Sequence, residues 1–268
     1  MLVALAVALV LAFVLAPGPL AASMSGGGFG DRSHLVEELS DSFVTYWSSG
    51  ERNFSPDLQR IVDYWIRYHV VKAVIAAMLL AVLTALGVRL WKAFLRAGGL
   101  GAGRRAAVAT AGVVVTALAL VSVAAVMANI QGATAPFSSL LSMLPMDSSH
   151  GELSDTVEQI RQHLADYPND SDRTPPAVEV MVSDFAWYHV VIAVAAPTVA
   201  VVLIAMSAVS WRRFARTETP DRRTRRVFRS FGVLWVFLSL AFIAVTVANI
   251  SVAADPAPAL LAFFKGGW

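Results

Sequence analysis

The chain has 268 residues, 57% of them hydrophobic, and a mean hydropathy of +0.62. That is too apolar for a soluble domain of this length. It contains no cysteine, which excludes disulfides, cysteine-ligated metals, iron–sulfur clusters and cysteine nucleophiles together. The net charge of +2 hides a sharp segregation of charge along the chain.

Residues 1–23 open with an apolar stretch, Leu2–Ala16, that stops at Pro17-Gly18-Pro19. Ala21-Ala22-Ser23 supplies the small residues of a signal-peptidase site, but no basic segment precedes the apolar run. The segment reads as either a signal peptide or an uncleaved signal-anchor helix. Residues 24–66 are polar, with seven acids and three arginines. Within them Leu35, Leu39, Phe43 and Tyr46/Trp47 recur at helical spacing and predict an amphipathic helix.

The next apolar stretches, at about 68–90 and 106–130, are long enough to cross a bilayer, which takes roughly 20 residues. The loop between them carries Arg89, Lys92, Arg96, Arg104 and Arg105. A short apolar segment, 136–145, begins at Pro136 and is suited to a membrane interface. Residues 131–186 then hold nine acids against two arginines. Leu153, Val157, Ile160 and Leu164 predict a second amphipathic helix, with Ser149-x-x-Glu152 and Asp155-x-x-Glu158 as candidate caps. Pro168-Asn169-Asp170-Ser171-Asp172 and Thr174-Pro175-Pro176 signal a loop. Two more spans follow, at about 187–210 and 230–251, with Pro197 expected to kink the first. The loop between them carries eight arginines against Glu218 and Asp221. A last Pro-initiated apolar segment covers 256–265.

The second half repeats the first at a constant offset of 120 residues. Tyr68-His69-Val70-Val71 returns as Tyr188-His189-Val190-Val191, and Trp91-x-x-Phe94-x-Arg96 as Trp211-x-x-Phe214-x-Arg216. Ala128-Asn129-Ile130 returns as Ala248-Asn249-Ile250, and Pro136-x-x-x-Leu140-Leu141 as Pro256-x-x-x-Leu260-Leu261. A repeat of this length sets the architecture. The predicted fold is an all-α integral membrane protein: an internally duplicated four-helix transmembrane bundle, an N-terminal signal peptide or anchor helix, and a small extracytoplasmic helical cap. Repeat 1 covers 24–145 and repeat 2 covers 146–268. Short basic loops stay in the cytoplasm, so both hairpin loops are expected inside, and both acidic segments and the C-terminus outside. Each unit has two spans, so the halves should share one orientation, as parallel repeats related by an axis along the membrane normal. The interval from Tyr68 to Trp91 is roughly 35 Å of helix, close to a bilayer's thickness with its interfaces. Only three of the 21 basic residues are lysines, Lys72, Lys92 and Lys265, a bias that points to a high-GC bacterium.

His69 and His189 are the leading candidates for chemistry. They are equivalent positions, and each shares a helix face with small residues: Ala73 and Ala76 for His69, and Ala193, Ala196 and Ala200 for His189. Small residues mark the face where helices approach. A related pair at one depth could ligate haem b; the alternative is a structural hydrogen bond at the interface, shared with the neighbouring Tyr68 and Tyr188. Asn129 and Asn249 lie at nearly the height of the histidine in their own hairpin, which suggests a His–Asn bond, or else each caps the end of its helix. Lys72, whose counterpart is Ile192, is a charge near the outer boundary, where it can either act or snorkel. His34, His150 and His163 show no metal-ligand spacing. No phosphate-binding loop, dinucleotide fingerprint, serine-hydrolase elbow or His-Glu-x-x-His motif occurs, and nothing supports nucleic-acid binding.

The function expected from the sequence is that of a non-catalytic multi-pass protein of the bacterial cytoplasmic membrane, an accessory or scaffold subunit without a cofactor. Its partners would be membrane lipids and either another membrane protein or a second copy. Two alternatives stand beside it: a haem b/quinone redox protein using His69 and His189, and a binder or carrier of lipid-like molecules at the outer leaflet, between the halves.

Overall fold

The computed structural model describes residues 1–24, 28–29, 31–96, 101–146, 151–167, 174–219 and 221–267. Among these the chain forms ten helices and no strand: α1 (Leu2–Leu15), α2 (Pro17–Met24), α3 (Arg32–Ser49), α4 (Pro56–Arg96), α5 (Ala102–Thr134), α6 (Pro136–Leu141), α7 (Glu152–Asp166), α8 (Pro176–Arg216), α9 (Arg222–Ala254) and α10 (Pro256–Phe264). Four of them, α4, α5, α8 and α9, are long and apolar enough to cross a membrane.

The helix boundaries follow local chemistry. Pro56, Pro136, Pro176 and Pro256 each open a helix, where the missing N–H costs nothing and the fixed φ is already helical. Asp31 caps α3 by accepting from the backbone N–H of His34 at 2.9 Å, and Gly50 ends that helix in the left-handed conformation at φ 66°. One expectation is corrected. The N-cap of α7 is Gly151, with no side-chain capping bond; Asp155 and Glu158 lie inside the helix, and Ser149 falls outside the described residues. The long helices extend beyond the apolar stretches. α4 and α8 each have 41 residues, about 60 Å of helix or roughly twice the hydrocarbon thickness. Residues such as Asp57, Arg60 and Asp63 belong to the same helix as the apolar run; they interrupt its hydropathy but not its backbone bonding. α8 continues through Pro197.

The chain divides into two compact units, each drawn from three separate stretches of sequence. The span unit comprises Met1–Phe13, Val74–Met127 and Ile192–Ala248. Its helices present large apolar side chains outward, among them Val74, Val121, Val201 and Phe237, a surface that water would penalise and lipid would not. Small buried clusters join its members. Leu83 of α4 and Val115 of α5 enclose Ala6 of α1, while Met127 of α5 packs with Ile192 and Ala196 of α8. Trp91 meets Phe231 edge-on at 4.8 Å, and Ser207 donates to the Gly232 carbonyl at 3.2 Å.

The indole of Trp91 lies against Gly112, and that of Trp211 lies against Gly232. A Cβ added at either glycine would come within 3.1 Å and 2.8 Å of the ring, respectively. Both contacts allow the paired helices to approach closely, as small residues do in membrane helix packing.

The core unit comprises Val14–Ala73, Ala128–Val191 and Asn249–Trp268. It holds the main apolar core, with Leu39, Phe43, Tyr46, Ile61, Phe137, Ile160, Met181, Leu260 and Phe264 all almost fully buried. These side chains come from α3, α4, α6, α7, α8 and α10. Each contributes about 1.5–3 kcal/mol on leaving water. Ala21 of α2 is completely buried in this core. Polar contacts tie residues of the two sequence halves within the unit. Trp47 Nε1 donates to Gln159 at 2.8 Å, Arg52 pairs with Glu179 at 2.7 Å, Gln131 Nε2 donates to the Tyr188 carbonyl at 3.0 Å, and the Ser138 N–H donates to Asp184 at 2.7 Å.

Candidate functional site

Residues spaced four apart on a helix meet face to face, and this builds the site on α4. Trp65 stands edge-on to His69 with ring centroids 4.7 Å apart, and the Lys72 ammonium lies 5.2 Å from the centre of the Tyr68 ring. Trp65 stacks on Tyr68 at 5.2 Å and donates from Nε1 to Ser139 Oγ of α6 at 3.0 Å. On α8, Phe185 takes the place of Trp65 and meets His189 at the same 4.7 Å.

The histidines and asparagines come together within each hairpin. His69 Nδ1 lies 3.0 Å from Asn129 Oδ1, and His189 Nδ1 lies 2.8 Å from Asn249 Oδ1. With an amide oxygen accepting, each Nδ1 carries the proton and each Nε2 is left as an acceptor. The alternative of asparagine as a C-terminal cap is corrected: α5 runs on to Thr134 and α9 to Ala254, so both amides lie inside their helices.

The two pairs differ in what surrounds them. Asn129 is buried whereas Asn249 is half-buried. His69 lies flat against Gly132, where an added Cβ would come within 2.7 Å of the ring. Position 252, the equivalent of Gly132, is a valine. His69 Nε2 is enclosed and has no hydrogen-bond partner. Among buried polar groups that condition is rare and calls for an explanation.

His69, Tyr68 and Lys72 also line a cavity of about 790 Å³ that belongs wholly to the core unit. Phe29, Tyr64, Trp65 and Met143 give it apolar walls, and Arg32, Ser139 and Ser142 add polar ones. His189, Tyr188, Asn129 and Asn249 are not among its lining residues. Arg32, Ser139 and Gly132 were not singled out from the sequence, whereas Trp65 was expected only as part of an outer aromatic belt. The 120-residue alignment carried a signal for two of them, because Ala259 and Val252, the counterparts of Ser139 and Gly132, differ in polarity or size.

The other histidines lie apart from this cavity. His34 is 3.2 Å from Glu38, and the His163 ring lies tilted beside Trp47 with centroids 5.9 Å apart. His150 falls outside the described residues. Among the described residues no three acidic or imidazole side chains gather as a metal site.

Comparison with protein-family models, with curated proteins and with solved structures finds no match to this chain.

Proposed function

We propose that this chain is a non-catalytic, multi-pass protein of a bacterial cytoplasmic membrane, built by tandem duplication and serving as an accessory or scaffold subunit. The observation that carries the reading is the core unit, where side chains from both sequence halves enclose one apolar core. Such a body can present a fixed surface to a partner. The exposed apolar faces of α4, α5, α8 and α9 support its placement in lipid.

The duplication is supported by the helix boundaries. α4 and α8 begin and end 120 residues apart, as do α5 and α9, and α6 and α10 begin at that same offset. The paired Trp–Gly contacts and paired His–Asn bonds repeat the pattern at the level of side chains. On this reading the halves share one orientation, with both basic loops in the cytoplasm and both acidic segments and the C-terminus outside. α1 remains as an anchor: Ala21, at the candidate cleavage site, is buried within helix α2, whereas a protease needs an exposed, extended segment.

Gentle extraction of the tagged chain from its native membrane, with crosslinking and native mass spectrometry, tests the subunit reading. A stoichiometric membrane partner, or a second copy, is the expected result. A haem-sized mass increment that disappears in His69→Ala or His189→Ala would overturn it.

A further inference from the structure

We propose that the cavity beside His69 is a binding site for one anionic amphiphile from the bilayer, a phospholipid with a net negative headgroup. The cavity of about 790 Å³ has room for a headgroup and the start of its acyl chains. Its walls divide by chemistry. Trp65, Tyr68, Phe29 and Met143 offer apolar and aromatic surface, while Arg32, Lys72, Ser139 and Ser142 offer charge and hydroxyl groups.

The sign of the ligand follows from the charges that line the space. Arg32 and Lys72 are cationic, and the acid lining it is Asp31. That carboxylate already accepts the His34 N–H as the cap of α3. The balance therefore favours an anion, and a partly enclosed site strengthens each charge-assisted bond.

The repeat supplies a second observation, which rests on the duplication proposed above, although the cavity does not. Lys72, Ser139 and Ser142 correspond to Ile192, Ala259 and Ala262. The shared elements of the fold keep their residue types, as in Tyr68/Tyr188 and His69/His189. These three polar groups of the cavity occur in the first copy alone. The site thus lies within the first half and not between the halves.

The test uses the full chain in nanodiscs of phosphatidylcholine, titrated with brominated phosphatidylglycerol. Bromine quenches tryptophan at short range, and the portion of emission missing from W65F reports on the cavity. The expected result is saturable quenching of that portion, with brominated phosphatidylcholine giving only quenching proportional to its mole fraction. K72I and the double variant S139A/S142A, which install the residues of the second copy, should weaken binding by about tenfold or more. K72R should restore it, and I192K should leave it unchanged. R32E, at an exposed position, serves as a second charge variant should K72I fail to fold by circular dichroism. Equal quenching by the two lipids, or full affinity in both K72I and R32E, would overturn the proposal. Displacement by millimolar inorganic phosphate would assign the site to free phosphate and overturn the lipid assignment. Loss of binding in these variants would leave the partner test above unaffected, so the two readings fail separately.

Discussion

Nδ1 of His69 lies 3.0 Å from Oδ1 of Asn129, and 120 residues later Nδ1 of His189 lies 2.8 Å from Oδ1 of Asn249. One hydrogen bond thus fastens the two long helices of each hairpin at matching positions. The first pair involves a buried amide and the second a half-buried one, so the two should differ in strength. Asn129→Ala should destabilise the fold by about 1–3 kcal/mol and Asn249→Ala by less. Thermal unfolding of both variants in detergent checks the order, and a double-mutant cycle with His69→Ala isolates the pairwise part.

Gly232 accommodates the Trp211 indole, and Gly132 accommodates the His69 ring, each with no room for a Cβ. Replacing a helical glycine usually helps a helix by about 1 kcal/mol. Here overpacking of about 1–3 kcal/mol opposes that gain. Gly232→Val should lower the melting temperature, and combining it with Trp211→Ala should recover part of the loss. Gly132→Val, which copies the residue of the second half, should break the His69–Asn129 bond and shift the imidazole resonances in NMR spectra of histidine-labelled protein.

Tyr46 is buried in the core unit and donates to the Arg52 carbonyl at 3.3 Å. Burial pushes its phenol up to about 12, against a partial lowering by Arg52. The folded state therefore keeps the phenol neutral while the unfolded chain ionises near 10.0. Its contribution to stability is fully present below pH 10 and is lost as pH rises through about 12. Tyr46→Phe should be less stable at neutral pH by about 1 kcal/mol. Its loss of stability between pH 10 and 12 should be shallower than that of the parent, as followed by chemical denaturation.

The chain should keep residues 1–23. Ala6 packs with Leu83 and Val115, and Ala21 is enclosed in the core unit. Intact mass of the protein isolated from its membrane checks this, and a species beginning just after Ser23 would contradict it.

The sequence made some features legible and hid others, for physical reasons. The pairing of His69 with Asn129 could be reached by counting residues from the basic turn, because helical rise is constant. The amphipathic helices around Leu39 and Ile160 were visible in their spacing, since a buried stripe must recur every three to four residues. The true start of α4 at Pro56 was not visible. Hydropathy tracks transfer to lipid, and Asp57, Arg60 and Asp63 interrupt the apolar pattern without interrupting the helix. Gly151 at the start of α7 shows the converse case, where attractive capping residues nearby go unused. The cavity was hidden most deeply. Its lining comes from segments around 18–35, 64–72 and 139–143, and only packing brings these together. Comparing the two copies position by position, which did flag Lys72, would also have flagged Ser139 and Ser142 as departures from the repeat.

The central claim is a duplicated membrane protein whose halves enter the bilayer in the same direction. The absence of native cysteine allows a direct measurement. Single cysteines at the exposed positions Gly101 and Glu218, in the two basic loops, and at Glu51 and Gln162 would be treated with a membrane-impermeant maleimide on intact cells. The account predicts labelling of Glu51→Cys and Gln162→Cys from outside, and of Gly101→Cys and Glu218→Cys only after permeabilisation. Labelling of the two loop positions from opposite sides would contradict it.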